Sequence, residues 1–123
     1  MGLLEKLLGR GRQVIPEHVA DQEGFRRLVL DSELPVMVNV WSSTCPPCRQ
    51  LALVMVDVAT RYEGRVRVAE INTQAQPELV RALEVSATPT VIVYSRGEEV
   101  GRVVGFRARR WFDRMIAAEF SES

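Results

Sequence analysis

Cysteine is scarce in this chain: among 123 residues there are two, Cys45 and Cys48. A disulfide scaffold needs more of them, more widely spaced. A closed structural zinc site takes about four ligands, and with a single histidine, His18, one chain supplies them poorly. An excess of charge of either sign is also missing. Basic and acidic residues number 16 each, which argues against a nucleic-acid module, where a basic excess is the rule. Lysine occurs only at Lys6, and arginine supplies the rest of the positive charge. No run of about 18 apolar residues occurs, so a membrane-spanning helix is excluded. What is present suits one folded domain: 46% hydrophobic and 26% charged residues, in a length that builds a core without staples.

Residues 1–13 read as an amphipathic helix and linker ahead of a domain over 14–120. Leu3, Leu4, Leu7 and Leu8 share one helical face, and Gly9 and Gly11 end it. Glu5 and Lys6 break the apolar run, and no small-residue cleavage pattern follows, so the segment is not read as a secretory signal. One lysine and two arginines are a weak signal for anionic lipid. The helix is expected to pack on its own domain, and the protein to reside in the cytoplasm.

The rest of the chain alternates. A short extended stretch over Val14–Ala20 precedes a helix capped by Asp21 and running to Leu30, with Phe25, Leu28 and Val29 inward. Pro35–Trp41 is almost wholly apolar, the mark of a strand buried on both faces. A long helix follows Cys45 and runs to about Tyr62. Arg65–Asn72 reads as a strand, Pro77–Leu83 as a helix, and Val91–Tyr94 as a further apolar strand. Arg96-Gly97 turns the chain into an edge strand, Glu98–Val104. A closing helix over Phe106–Phe120 should bury Trp111, Phe112, Met115, Ile116 and Phe120. The early βαβ units imply parallel strands with helices on both faces, and the final hairpin an antiparallel edge.

The chemistry concentrates at Cys45-Pro46-Pro47-Cys48, between a buried strand and the start of a helix. A CxxC beside a βαβ pattern reads as a redox motif. Unpaired N–H groups and the helix dipole favour an anion at Cys45, making it the exposed nucleophilic thiolate. Cys48 lies one turn later on the inner side, from where it can resolve a mixed disulfide on Cys45. The plain alternative is two core thiols that happen to be neighbours.

The segment VNVWSSTCPPCRQL, then Ala87-Thr88-Pro89-Thr90, then Tyr94–Gly97 and Gly105, resembles the thioredoxin family over about residues 14–120. The resemblance implies an α/β thioredoxin fold: a central mixed five-stranded sheet flanked by helices, here with an extra N-terminal helix. It implies that Pro89 is a cis-proline beside the disulfide and that Thr88 offers its backbone to an extended substrate. Trp41 would pack beneath the active-site loop, and Val104 and Gly105 would line the same groove. It further implies a protein-disulfide reductase with no bound cofactor. Its electrons would come from an NADPH-dependent flavin reductase and pass to disulfide-containing client proteins.

The departures from the family pattern are specific. Asn39 stands where thioredoxins carry a buried aspartate thought to deprotonate the second cysteine, and Glu70 stands where they carry lysine. Asparagine cannot accept and return a proton. Either the acid has migrated and Glu70 is the base for Cys48, or Glu70 simply reaches solvent at the sheet end. Pro46 replaces a glycine, stiffening the loop and deleting one donor near the thiolate, whereas Pro47 suits the first helical turn. Thr44 replaces a rim tryptophan, and Leu53 a helix-kinking proline. Thr73 replaces an apolar groove residue, and Phe106 adds bulk beside Gly105. Together these imply an altered client set. His18, far in sequence from the cysteines, reads as a surface residue. Arg107, Arg109 and Arg110 read as solvated or as facing an acidic partner.

Two other classes of function remain open. One is a redox-sensitive binding or chaperone-like module with little reductase activity. The other is cluster or metal binding across a dimer, through the thiolates of two CPPC pairs.

Overall fold

The computed structural model describes residues 12–120. The helix expected around Leu3–Leu8 lies outside the described residues. Among the described residues the strands and α-helices run in chain order: β1 (Glu17–His18), α1 (Gln22–Phe25), β2 (Val36–Trp41), α2 (Pro46–Arg61), β3 (Arg67–Asn72), α3 (Pro77–Ala82), β4 (Thr90–Ser95), β5 (Glu98–Val104) and α4 (Arg109–Phe120). The alternation read from the sequence is the alternation observed.

The strands form one sheet in the order β1-β3-β2-β4-β5. β3 runs parallel to both β1 and β2. β4 runs antiparallel to β2, and β5 antiparallel to β4. β2 is therefore central, which accounts for its apolar sequence: both its faces are covered. Val36, Val38 and Val40 pack with Ala69, Ile71, Phe25, Leu28 and Leu79 on one side. Met37 packs with Val68, Val91, Leu51, Met55, Phe112 and Ile116 on the other. Each fully buried valine, leucine, isoleucine, methionine or phenylalanine among them contributes about 1.5–3 kcal/mol. β5 is the sheet edge and stays largely exposed, which is why it tolerates Gly101.

Local signals explain the boundaries. Asp21 caps α1, its Oδ1 accepting from the Gly24 amide at 2.7 Å. Beyond Phe25 the chain widens into a π-helical turn, Arg26–Leu30, closed by the Asp31 amide donating to the Arg26 carbonyl at 2.8 Å. The far end of α2 is tied to α4 by the Tyr62 hydroxyl, which donates to Asp113 Oδ1 at 2.5 Å.

Two expectations about the last helix are corrected. It begins at Arg109 rather than Phe106, and Phe106 is exposed. Trp111 is not core: it is 36% exposed, whereas Phe112 beside it is fully buried. Consecutive helical residues point about 100° apart, so one took the core. The Trp111 ring instead lies edge-on to Phe112 at 5.1 Å, with the Arg107 guanidinium 5.8 Å from its centroid. Arg109 pairs with Asp113 at 3.4 Å, so that part of the basic cluster is internally compensated.

Candidate active site at a strand-to-helix junction

Three features converge where β2 hands over to α2. The first is the cysteine turn. Ser43 donates from both its amide and its hydroxyl to Gln74 Oε1, each at 3.1 Å, which anchors the loop to the segment after β3. Cys45 follows as the N-cap of α2 in an extended conformation, with Pro46 and Pro47 at the first helical positions. Neither proline has an N–H, so two of the donors that a helix start ordinarily offers an anion are gone. The Cys48 amide donates to the Cys45 carbonyl at 3.0 Å, closing the turn. The two cysteines are joined as a disulfide, with Cα atoms 5.2 Å apart. Cys45 is less open than its expected role suggested: it is 8% exposed, against 3% for Cys48. With its sulfur tied back to Cys48, it remains the more accessible of the two.

The second feature is the start of β4. The Thr88-Pro89 peptide is cis. The Pro89 carbonyl accepts from the Gly105 amide at 2.8 Å, and Thr90 pairs with Val104 across the hairpin. The Thr90 hydroxyl donates to the Ala87 carbonyl at 2.6 Å, fixing the approach to the proline. Gly105 holds φ +96°, a conformation that disfavours any side chain. Thr88, Pro89, Val104 and Gly105 thus form one rim, in which Pro89 is buried and Val104 exposed. Thr73 lies directly after β3, its amide donating to the Trp41 carbonyl at 2.9 Å.

The third feature is a cavity of about 410 Å³ behind the cysteines. Its lining brings together Asn39, Trp41, Cys48 and Glu70, with Arg49 and Met55 from α2. Asn39 is 4% exposed, and its Oδ1 is fully buried with no donor among the described residues. Glu70 is its direct partner on β3. The Glu70 side chain is only 27% exposed, and its Oε2 accepts from Trp41 Nε1 at 2.8 Å. The tryptophan expected beneath the loop therefore also fixes the carboxylate. Glu70 and Cys48 line the same cavity.

The same Oε2 lies 3.2 Å from Nδ1 of His18. His18 is a surface residue, as its sequence context indicated, yet it reaches the site. Sequence reasoning missed it because β1 is two residues long, too short for its register to show as a pattern. Arg49 was missed as well. Its position directly after Cys48 on a helix was the available signal.

A disulfide between cysteines three residues apart at the head of a helix, on a mixed sheet of this order, points to a protein of thiol–disulfide exchange. The comparisons with known proteins agree. The thioredoxin family model matches residues 16–118. Thioredoxin 1 of Nostoc sp. is 37% identical over 81 residues, 66% of this chain and 76% of that protein. Thioredoxin of Synechocystis sp. is 40% identical over a stretch of the same length and the same coverage. Among solved structures, a Malassezia sympodialis thioredoxin (Mala s 13) superposes with a TM-score of 0.77 over 87% of this chain and 91% of that one, at 17% identity, which speaks for the fold. The chain belongs to the thioredoxin family. It is a thiol–disulfide oxidoreductase of a family that carries no cofactor and acts on disulfide-containing client proteins. No helix among the described residues is long and apolar enough to cross a membrane.

Proposed function

We propose that the protein reduces client disulfides, with Cys45 attacking, Cys48 resolving and Glu70 serving as the base. The observation that carries this reading is the shared cavity: Cys48, the inner cysteine, and Glu70 line the same space. In the reduced protein, the Cys45 thiolate attacks one client sulfur. A Cys45–client bond forms, and the other client sulfur leaves as a thiolate that takes a proton from solvent. Solvent in the cavity then relays the Cys48 proton to Glu70. The Cys48 thiolate attacks the Cys45 sulfur, forming the Cys45–Cys48 disulfide and releasing the second client thiolate. Two electrons pass from the dithiol to the client.

Thr88, Pro89, Val104, Gly105 and Thr73 form the groove in which an extended client strand lies, paired to the Thr88 backbone. Trp41, Pro46, Pro47 and Asn39 support the turn from below and in front. The dithiol is restored by an NADPH-dependent flavin reductase, and the protein works in the cytoplasm, where thiols are kept reduced. Residues 14–120 are the working domain.

Reduction of insulin tests the reading. Wild type should catalyse it and Cys45→Ser should not. A Cys48→Ser variant should retain clients as mixed disulfides. A wild type that binds clients tightly without exchanging disulfides would establish a binding module instead.

A further inference from the structure

His18, Glu70 and Asn39 form one row across three strands. β1 pairs with β3 so that His18 is opposite Glu70, and β2 pairs with β3 so that Asn39 is opposite Glu70. Register partners send their side chains to the same face of a sheet. That face lies under α2, the helix that carries Cys48. Two residues back along β2 and β3, Met37 and Val68 pack there against Leu51 and Met55. A polar row thus crosses an otherwise apolar face.

Two groups engage the same oxygen of Glu70. Trp41 Nε1 donates to Oε2 at 2.8 Å, and His18 Nδ1 lies 3.2 Å from that same Oε2. Among the described residues no donor reaches Oε1. A carboxylate oxygen accepts only, so the contact with His18 requires a hydrogen on Nδ1. One oxygen is thereby clamped from two strands, and the other is left for proton traffic.

We propose that His18 is a positioning residue: with Trp41, its Nδ1–H clamps Glu70 Oε2, so that Oε1 serves Cys48 across the cavity. This rests on the reading of Glu70 as the base for Cys48. Arg49 is the other charged side chain that lines the cavity, on the α2 side. The His18 side chain is 56% exposed, so its hydrogen bond contributes little to folding. Its loss should therefore show in the chemistry.

The test is single-turnover resolution of a Cys45–client mixed disulfide in His18→Leu, His18→Asn, Glu70→Gln and the Leu/Gln double variant. His18→Leu should slow resolution about 3–10-fold, the kind of loss that misplacing a catalytic group brings. KM for the client and the urea midpoint should stay unchanged. His18→Asn, which keeps an N–H donor near the Nδ1 position, should restore the rate. In the Glu70→Gln background, His18→Leu should have no further effect. If Glu70→Gln slows resolution and His18→Leu does not, the positioning role is wrong and the base assignment stands. If His18→Leu slows both backgrounds equally, its effect is structural and the proposal is overturned. If Glu70→Gln itself leaves the rate unchanged, the base assignment falls and the proposal with it.

Discussion

Placing an aspartate at position 39 should damage this protein. Asn39 and Glu70 are direct partners in the β2–β3 register, and both line one cavity. Neighbouring strands lie about 4.8 Å apart, so two carboxylates on this pair would sit roughly 5–6 Å from each other. At that distance two unit charges repel by about 3 kcal/mol at an effective dielectric of ~20, and by about 1.5 at ~40. Asn39 is 4% exposed and Glu70 27%, so the true value falls between those limits. Urea unfolding at pH 7.5 of wild type, Asn39→Asp, Glu70→Gln and the double variant forms a cycle that isolates this pair. The expected result is a strongly destabilised Asn39→Asp, partly rescued by Glu70→Gln, with a coupling of about 1.5–3 kcal/mol. A coupling below about 0.5 kcal/mol would mean that the effects simply add, and the claim that this row holds one acid and no more would be refuted.

Two further outcomes follow from the packing. Tyr94 is 5% exposed; burial first, then nearby Glu99, push its pKa up from 10.0 to about 12, against a smaller opposing effect of Arg102. Its folded pKa lies above its unfolded one, so the stability it contributes is complete below about pH 10 and is lost on rising toward pH 12. That loss amounts to about 2–3 kcal/mol; urea titrations at pH 9 and 11.5 should show it in wild type and find it reduced in Tyr94→Phe. Gly97 turns the β4–β5 hairpin at φ +81°, and a Cβ there would lie 2.9 Å from the Leu30 carbonyl oxygen. Gly97→Ala should therefore lose more than the roughly 1–2 kcal/mol that the left-handed conformation alone imposes, and a thermal melt no lower than that of wild type would contradict it.

The parts of this molecule legible in its sequence are those written in local patterns. The unbroken apolar run of β2 announced a strand covered on both faces. Cys45 before two prolines marked a helix start, whereas the pairing of Thr88-Pro89 with Gly105 came only from the resemblance to thioredoxins. Errors arose where orientation depends on tertiary packing. Trp111 and Phe112 are both large and apolar, and only the rotation of α4 against α2 decides which of them is buried. Cys45 read as exposed because the sequence does not show how far its sulfur is drawn back toward Cys48. The link from His18 to Glu70 spans 52 residues and depends on the register of a two-residue strand, which no periodicity reveals. The exchange of aspartate and lysine for Asn39 and Glu70 was visible in the sequence. That the pair lines the Cys48 cavity, with one carboxylate oxygen held by Trp41, emerged only from the fold.

The central claim is that proton handling has moved from the position of Asn39 to Glu70. Its most direct test is the rate at which Cys48 resolves a preformed Cys45–client disulfide, in wild type and Glu70→Gln at pH 7. A positioned base contributes about 10²–10⁴-fold, and part of that is recovered by solvent in an open cavity. Glu70→Gln should therefore slow resolution by at least about tenfold, with the initial attack by Cys45 unchanged. Equal resolution rates for the two proteins would contradict it.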